Sequence, residues 1–351
     1  MDKQKILDFA NKVYRDMAGA MTVGMADVGV RTGLFRAMSG RGAVTAEVLA
    51  EETGLELRYV QEWLAGMAAA EFLTFDPETN CFFLPEEHAW LVASEGTDHF
   101  AGGLFRFAPV LLSVVPGVAE AFEKGGGVPF HAFGGDCVPA LDLINAGTYD
   151  QRFVSYWLAA MPDVVARLSD GARVMDVGCG AGRVVLNMAE GFPASHIVGL
   201  DPDRSSIDAA ITAAAEAGLE GRTSFVCDTT RNYRPDEGFD LVTACDCIHD
   251  FAEPEATLAE IHALLKPGGK FFIVEPKASD RLEENIHPLG AMYYGFSLFH
   301  CMTQSLANNG PGLGTCMGPG KTRQLVTEAG FRDFETLPIK SLTNSFYVAT
   351  A

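Results

Sequence analysis

Residues 172–192 read ARVMDVGCGAGRVVLNMAEGF. An apolar strand ends at Asp176, glycines follow at positions 178, 180 and 182, and an amphipathic helix begins. This is a strand, glycine loop and helix unit. Glycine permits the tight turn and lets backbone N–H groups approach a ligand without a Cβ in the way, which is why such units recur at nucleotide and nucleoside sites. The dinucleotide fingerprint GxGxxG needs glycine at position 183, where this chain has Arg183, and it asks for no acid before its first glycine. Asp176 and Gly182 therefore fit a different pattern.

Downstream, HIVGLD (196–201) is a second strand whose closing acid, Asp201, stands about 20 residues beyond the glycines, the spacing of a ribose-binding carboxylate. TSFVCD closes a third strand at Asp228, and FDLVTACDCIHDF gives a fourth that ends near Cys245. PEATLAEIHALLKPGG reads as a helix opened by Pro254 and closed by Pro267 and Gly268, with KFFIVEP as the fifth strand. Strands alternating with helices predict an open parallel sheet, and its ligands bind along the edge formed by the strand ends.

VMDVGCGAG, VGLD, FVCD, FDLV and LLKPGGKFFIVEP resemble, in order, the motifs of class I S-adenosylmethionine (SAM)-dependent methyltransferases. The resemblance is close over residues 173–275. It implies an α/β fold with a Rossmann-like seven-stranded sheet, closed by an antiparallel pair from FRDFETLPI and NSFYVATA, and SAM as cofactor. It also implies roles: the loop of Asp176, Gly178, Gly180 and Gly182 for the methionine moiety, Asp201 for the ribose, and Asp228 for the adenine amino group. Thr229 and Cys245, beside the same strand ends, complete the expected cofactor contacts.

Transfer of a methyl group from a sulfonium is an in-line displacement, so the protein mainly positions the acceptor and excludes water. A hydroxyl acceptor also needs a general base. IHDF resembles the LHDW stretch of plant-type O-methyltransferases, with Phe251 in place of the tryptophan, and this gives the base role to His249, whose imidazole titrates in the useful range. Packing against the following loop is the alternative for that residue. Asp246 and Asp250 flank it and could orient it or bind a cationic acceptor. Tyr156, beside Trp157 in FVSYWLAAM, and Tyr293, Tyr294, Phe296, Phe299 and His300 in the insert could wall an acceptor pocket or belong to the core. Arg106, Arg152, Lys277 and Arg323 are possible carboxylate anchors. A thioether or thiolate acceptor needs no base, so S-methylation of a small thioether acid, such as the methylthio-hydroxybutyrate step toward dimethylsulfoniopropionate, is a second reading.

The first third of the chain has another architecture. TAEVLAEETG reads as a helix stopped by Gly54, ELRYVQEWLAGMAAA as a second with Leu57, Val60, Leu64 and Met67 on one face, and FLTF and CFFL bracket DPETN as a β-wing. Together these form a winged helix, and with the insert the module resembles that of bacterial small-molecule methyltransferases, which commonly dimerise through it, so the resemblance implies a homodimer. The expected division is 1–98 for that mostly helical module, 99–165 for a helical linker and lid, and 166–351 for the SAM-binding domain with a substrate-cap insert at 280–319. Lys plus Arg total 26 against 46 for Asp plus Glu, a formal charge of -20 that repels phosphate backbones and anionic lipid. The second helix bears Glu56, Arg58, Gln61 and Glu62, a poor DNA reader, so neither nucleic acid nor membrane is an expected partner. A SAM-sensing transcriptional regulator is the rival from another class. The charged start MDKQKILDFANKVYRDM reads as mature protein, and the apolar stretch between Arg106 and Glu120 as a buried helical hairpin too short to span a bilayer. Eight cysteines without a CxxC pair fit reduced thiols in the cytoplasm and define no metal site.

Overall fold

Thr45 and Gly54 bound the first helix of the winged module. Thr45 Oγ1 accepts the Val48 N–H at 3.4 Å, and Gly54 takes the left-handed conformation, φ +68°, that ends the helix Ala46–Thr53. The helix Leu57–Ala69 follows and buries Val60, Trp63, Leu64 and Met67. Strands β1 (Thr74–Asp76) and β2 (Cys81–Phe83) pair antiparallel as the wing, and Val44 exchanges both backbone hydrogen bonds with Phe82 at 2.8 Å. A 30-residue helix, Lys3–Thr32, precedes them. It is anchored by its end, where Trp63 Nε1 donates to Met25 O at 2.8 Å and Gly66 lets the Met25 sulfur approach. On the second helix Arg58 pairs with Glu62.

The computed structural model describes residues 1–351, and the chain divides into two units, residues 1–109 with 143–148 and residues 110–142 with 149–351. The second unit is built on seven strands: β3 (Arg173–Val177), β4 (His196–Asp201), β5 (Thr223–Cys227), β6 (Phe239–Cys245), β7 (Leu265–Pro276), β8 (Arg332–Thr336) and β9 (Asn344–Thr350). Their order is β5-β4-β3-β6-β7-β9-β8, with β9 antiparallel to both neighbours and β3 to β7 mutually parallel. Both faces are covered. Val174, Ile197, Leu241 and Phe272 point into one core with Phe153 and Trp157, while Met175, Val198, Val242 and Phe271 point into the other with Leu258 and Leu325. Burial on both sides is why these strands read as continuous apolar runs rather than alternating ones.

Two expectations are corrected. The fifth parallel strand starts at Leu265, five residues before KFFIVEP, because Leu265 pairs with Phe239 and Gly269 O accepts the Ala351 N–H at 3.0 Å. Between Arg106 and Glu120 there is no hairpin: the helices Gly102–Ser113 and Val115–Lys124 are separated by Val114 alone, too little chain to reverse direction, and Leu112 is half exposed. No single helix is long and apolar enough to cross a membrane.

Candidate active site

Parallel register gathers the predicted cofactor residues on one edge. Val177 pairs with both Leu200 and Ala244, so Gly178, Asp201 and Cys245 stand next in line, and Asp201 pairs with Cys227, just before Asp228 and Thr229. The glycine loop folds back onto Asp201. Gly180 N donates to Asp201 Oδ2 at 2.9 Å, and Asp203 N donates to Oδ1 at 2.8 Å. Each carboxylate oxygen thus keeps a lone pair for a ligand hydroxyl, while burial pushes the group up against the pull of those two donors. Asn232 Nδ2 and Thr229 N hold Asp228 below its ordinary range.

Two of the glycines differ in what they make possible. A Cβ on Gly182, φ +85°, would come within 2.9 Å of Ala210 and 3.0 Å of Phe225, so glycine there serves helix–sheet packing. A Cβ on Gly180, φ +53°, would meet nothing within 4 Å, which leaves this stretch of loop backbone open to a ligand. With the ready acceptors of Asp201 beside it, this edge fits the ribose and amino-acid parts of SAM. Asp176 lies deeper, 2% exposed, and accepts from Thr243 Oγ1 at 2.5 Å. Burial raises its carboxyl to about 7, with Thr243 opposing and Asp201 adding to the rise.

His249 sits in the short turn Ile248–Asp250 after β6 and is 2% exposed. Its Nδ1 lies 2.5 Å from Glu275 Oε2, and Glu275 Oε1 accepts the Ile248 N–H at 3.0 Å, so one carboxylate fixes both ring and turn. Nε2 lies 3.4 Å from Asp250 Oδ1. Burial alone would lower the imidazole, but Glu275 and then Asp250 more than reverse this and hold it well above the ordinary histidine range. The titration expected near the free imidazole value is therefore displaced upward, for want of Glu275 in the sequence reading.

Asp246 precedes this turn in the left-handed region, φ +52°, a conformation that aspartate tolerates better than most residues. Tyr149 Oη donates to its Oδ2 at 2.7 Å and Asn344 Nδ2 to its Oδ1 at 2.9 Å, yet burial still raises its carboxyl to about 6. Tyr293 is buried and donates to Thr343 O at 2.7 Å; Asp246 is close enough to add to the rise of its phenol. Tyr294 is partly exposed and Phe299 half-buried. His300 belongs to an apolar cluster with Phe130, Phe133 and Cys137, where burial lowers it to about 3. Tyr156 is not brought to this group: it lies at the surface with its hydroxyl 3.4 Å from Lys340 N, while Trp157 is core. Among the possible anchors, Arg106 pairs with Asp27, Lys277 donates to Ser341 O, and Arg323 stacks on Phe334.

The sequence reading missed Glu275, Tyr149, Asn344 and Cys301. Glu275 alone carried a signal, an acid closing the otherwise apolar run KFFIVEP at a fifth strand end.

Residues 168–330 match the family model described as a methyltransferase domain, and residues 19–94 match an Rv2258c-like winged HTH domain. A sterol 24-C-methyltransferase of Neurospora crassa is 35% identical over 114 residues, covering 32% of this chain and 30% of its own. The chain thus spans under a third of that relative. Nocamycin O-methyltransferase of Saccharothrix syringae is 28% identical over 205 residues, 55% of this chain and 71% of its own. Among solved structures, human N-acetylserotonin methyltransferase in complex with SAM superposes with a TM-score of 0.70 at 17% identity, covering 100% of this chain and 98% of that one. Mitomycin 7-O-methyltransferase gives 0.68 at 17% identity over 100% of both chains, a likeness of fold. With the strand-end acids, the glycine loop and these matches together, the chain carries a SAM-dependent methyltransferase domain behind an N-terminal winged helix-turn-helix domain.

Proposed function

We propose that the protein methylates a hydroxyl of a small-molecule acceptor, with His249 as general base. The observation that carries this reading is the 2.5 Å contact between His249 Nδ1 and Glu275 in a buried turn at the sheet edge, which orients the ring. Because Glu275 and Asp250 hold the imidazolium above the ordinary histidine range, Nε2 takes the acceptor's proton only once the ring has lost its own, and turnover should rise toward alkaline pH. Bound SAM supplies an electrophilic methyl group on a sulfonium. Asp201 would accept from the ribose hydroxyls, Asp228 and Thr229 would meet the adenine edge, and Gly178, Gly180 and Gly182, with Asp176 behind and Cys245 beside them, would form the bed of the methionine moiety. Asp246, Tyr293 and Phe299 are the assigned acceptor contacts, with Tyr294 and His300 at the margin. The names of the O-methyltransferases among the similar proteins support oxygen as the acceptor atom.

A screen of phenols, hydroxy acids, thiols, thioethers and amines with SAM tests this. His249→Ala should lower turnover about 100-fold or more while leaving SAM affinity nearly unchanged. Full activity in that variant would refute the base. A sulfonium product would favour S-methylation, the second reading, which draws on the tight hold of Glu275 and Asp250 on the imidazole proton: a cationic His249 could anchor a thioether acid by its carboxylate.

The protein should also be a homodimer through the helix Lys3–Thr32. Ile6, Phe9, Val13, Tyr14, Met17 and Met21 are all about half exposed or more and recur at helical spacing, an apolar stripe that a single copy leaves uncovered.

A further inference from the structure

Cys301, in the insert, joins the His249 turn from the far side. His249, Asp250 and Cys301 each offer one ligand atom, and the three atoms lie within 4.8 Å of one another. Three further features prepare that group for a cation. Asp250 Oδ1 is buried without a hydrogen bond of its own, 3.4 Å from His249 Nε2, and the Cys301 thiol lies against the same carboxyl. Glu275 on Nδ1 directs the Nε2 lone pair toward Asp250 and Cys301, the carboxylate–histidine arrangement found behind metal-ligating imidazoles. Cys301 Sγ accepts from Thr315 Oγ1 at 3.1 Å and has His300 Nδ1 at 3.7 Å, two groups that can donate to a thiolate.

We propose that His249 Nε2, an Asp250 carboxylate oxygen and Cys301 Sγ form a binding site for a thiophilic divalent cation of the zinc class. One nitrogen, one oxygen and one sulfur select zinc over magnesium or calcium. Binding displaces the thiol proton and the imidazolium proton to solvent and leaves a neutral imidazole, a carboxylate and a thiolate, whose two negative charges match the cation in a buried site. Three protein ligands leave a fourth position open. The consequence rests on the proposed base: a cation on Nε2 occupies the lone pair that would take the acceptor's proton, so zinc acts as a reversible brake on hydroxyl methylation.

The test begins without SAM or acceptor. Chelator-treated full-length protein is titrated with Co2+, followed by thiolate-to-metal charge-transfer absorption and d–d bands. One equivalent should bind in four-coordinate geometry and be displaced by Zn2+. Cys301→Ser should abolish the charge-transfer band, and Asp250→Asn should weaken Co2+ about 10-fold or more. Cys316→Ser, at the half-buried thiol near His249 that is outside the group, should retain the signal, and SAM calorimetry on every variant reports folding. Absence of stoichiometric Co2+ binding, or a charge-transfer band that survives Cys301→Ser, overturns the site. Zn2+ should then inhibit methyl transfer by the metal-free protein; undiminished activity at saturating Zn2+ overturns the brake. Metal-free protein that binds Co2+ as described yet methylates no hydroxyl would refute the proposed function and leave the metal site standing.

Discussion

Asp176→Asn isolates the electrostatics beneath the glycine loop. The carboxyl is 2% exposed, and burial raises it from 3.8 to about 7. Asparagine has the same shape and keeps the Oδ1 acceptor that Thr243 uses at 2.5 Å. A folded-state value above the unfolded one means that the folded chain holds this proton more tightly. The group's contribution to stability is therefore intact below about pH 4 and is lost as pH rises through about 7. At about 1.4 kcal/mol per pKa unit, the whole shift is a penalty of about 4 kcal/mol in alkaline solution, roughly half of it falling between about pH 5.5 and 8.5. Urea unfolding of wild type and variant without cofactor, at those two pH values, should show wild type losing about 2 kcal/mol more than Asp176→Asn. The comparison is a difference of differences because Asp246, raised to about 6, adds a loss of the same sign that both proteins share. A stability gap between the two proteins that is equal at both pH values would mean that the carboxyl titrates normally in the fold, and the argument from burial would fail.

Asp201→Ala removes the acceptors proposed for both ribose hydroxyls and should weaken SAM by about 2–4 kcal/mol in calorimetry, at the usual worth of hydrogen bonds to a charged group; wild-type binding of NAD but not SAM would undo the assignment. Glu275→Gln keeps the shape of the strand end but removes the charge behind His249, so turnover should fall by about 10- to 1000-fold with the acceptor KM little changed; an unaffected turnover would separate Glu275 from the chemistry. Phe9→Glu with Val13→Glu places two charges in the exposed apolar stripe and should yield a monomer by light scattering, whereas a wild-type monomer at micromolar concentration would refute the dimer.

What the sequence made legible follows from how local each signal is. The seven-stranded sheet could be read because each parallel strand is a short apolar run closed by glycine or an acid, and Asp201 could be placed because a single crossover carries it to the strand beside the glycine loop. The winged module was legible for the same reason: Thr45, Gly54 and the turn DPETN punctuate it within a few residues of what they control. The acceptor side has no such grammar. Tyr149 and Asp246 are 97 residues apart, Asp246 and Asn344 are 98 apart, and Glu275 meets His249 only because β7 lies beside β6. Cys301 reaches the same turn from the insert, 51 residues beyond Asp250, by a path that no periodicity encodes. Residue type alone does not fix the chemistry where burial decides it. A free imidazole titrates in the ordinary histidine range, but the buried carboxylate of Glu275 moves His249 above it, and of two adjacent aromatics Trp157 is core while Tyr156 lies at the surface. The proposed cofactor edge, built from consecutive strand ends, is thus written along the chain. The proposed acceptor edge is written across it, and there the charge of one residue is set by another far away in sequence.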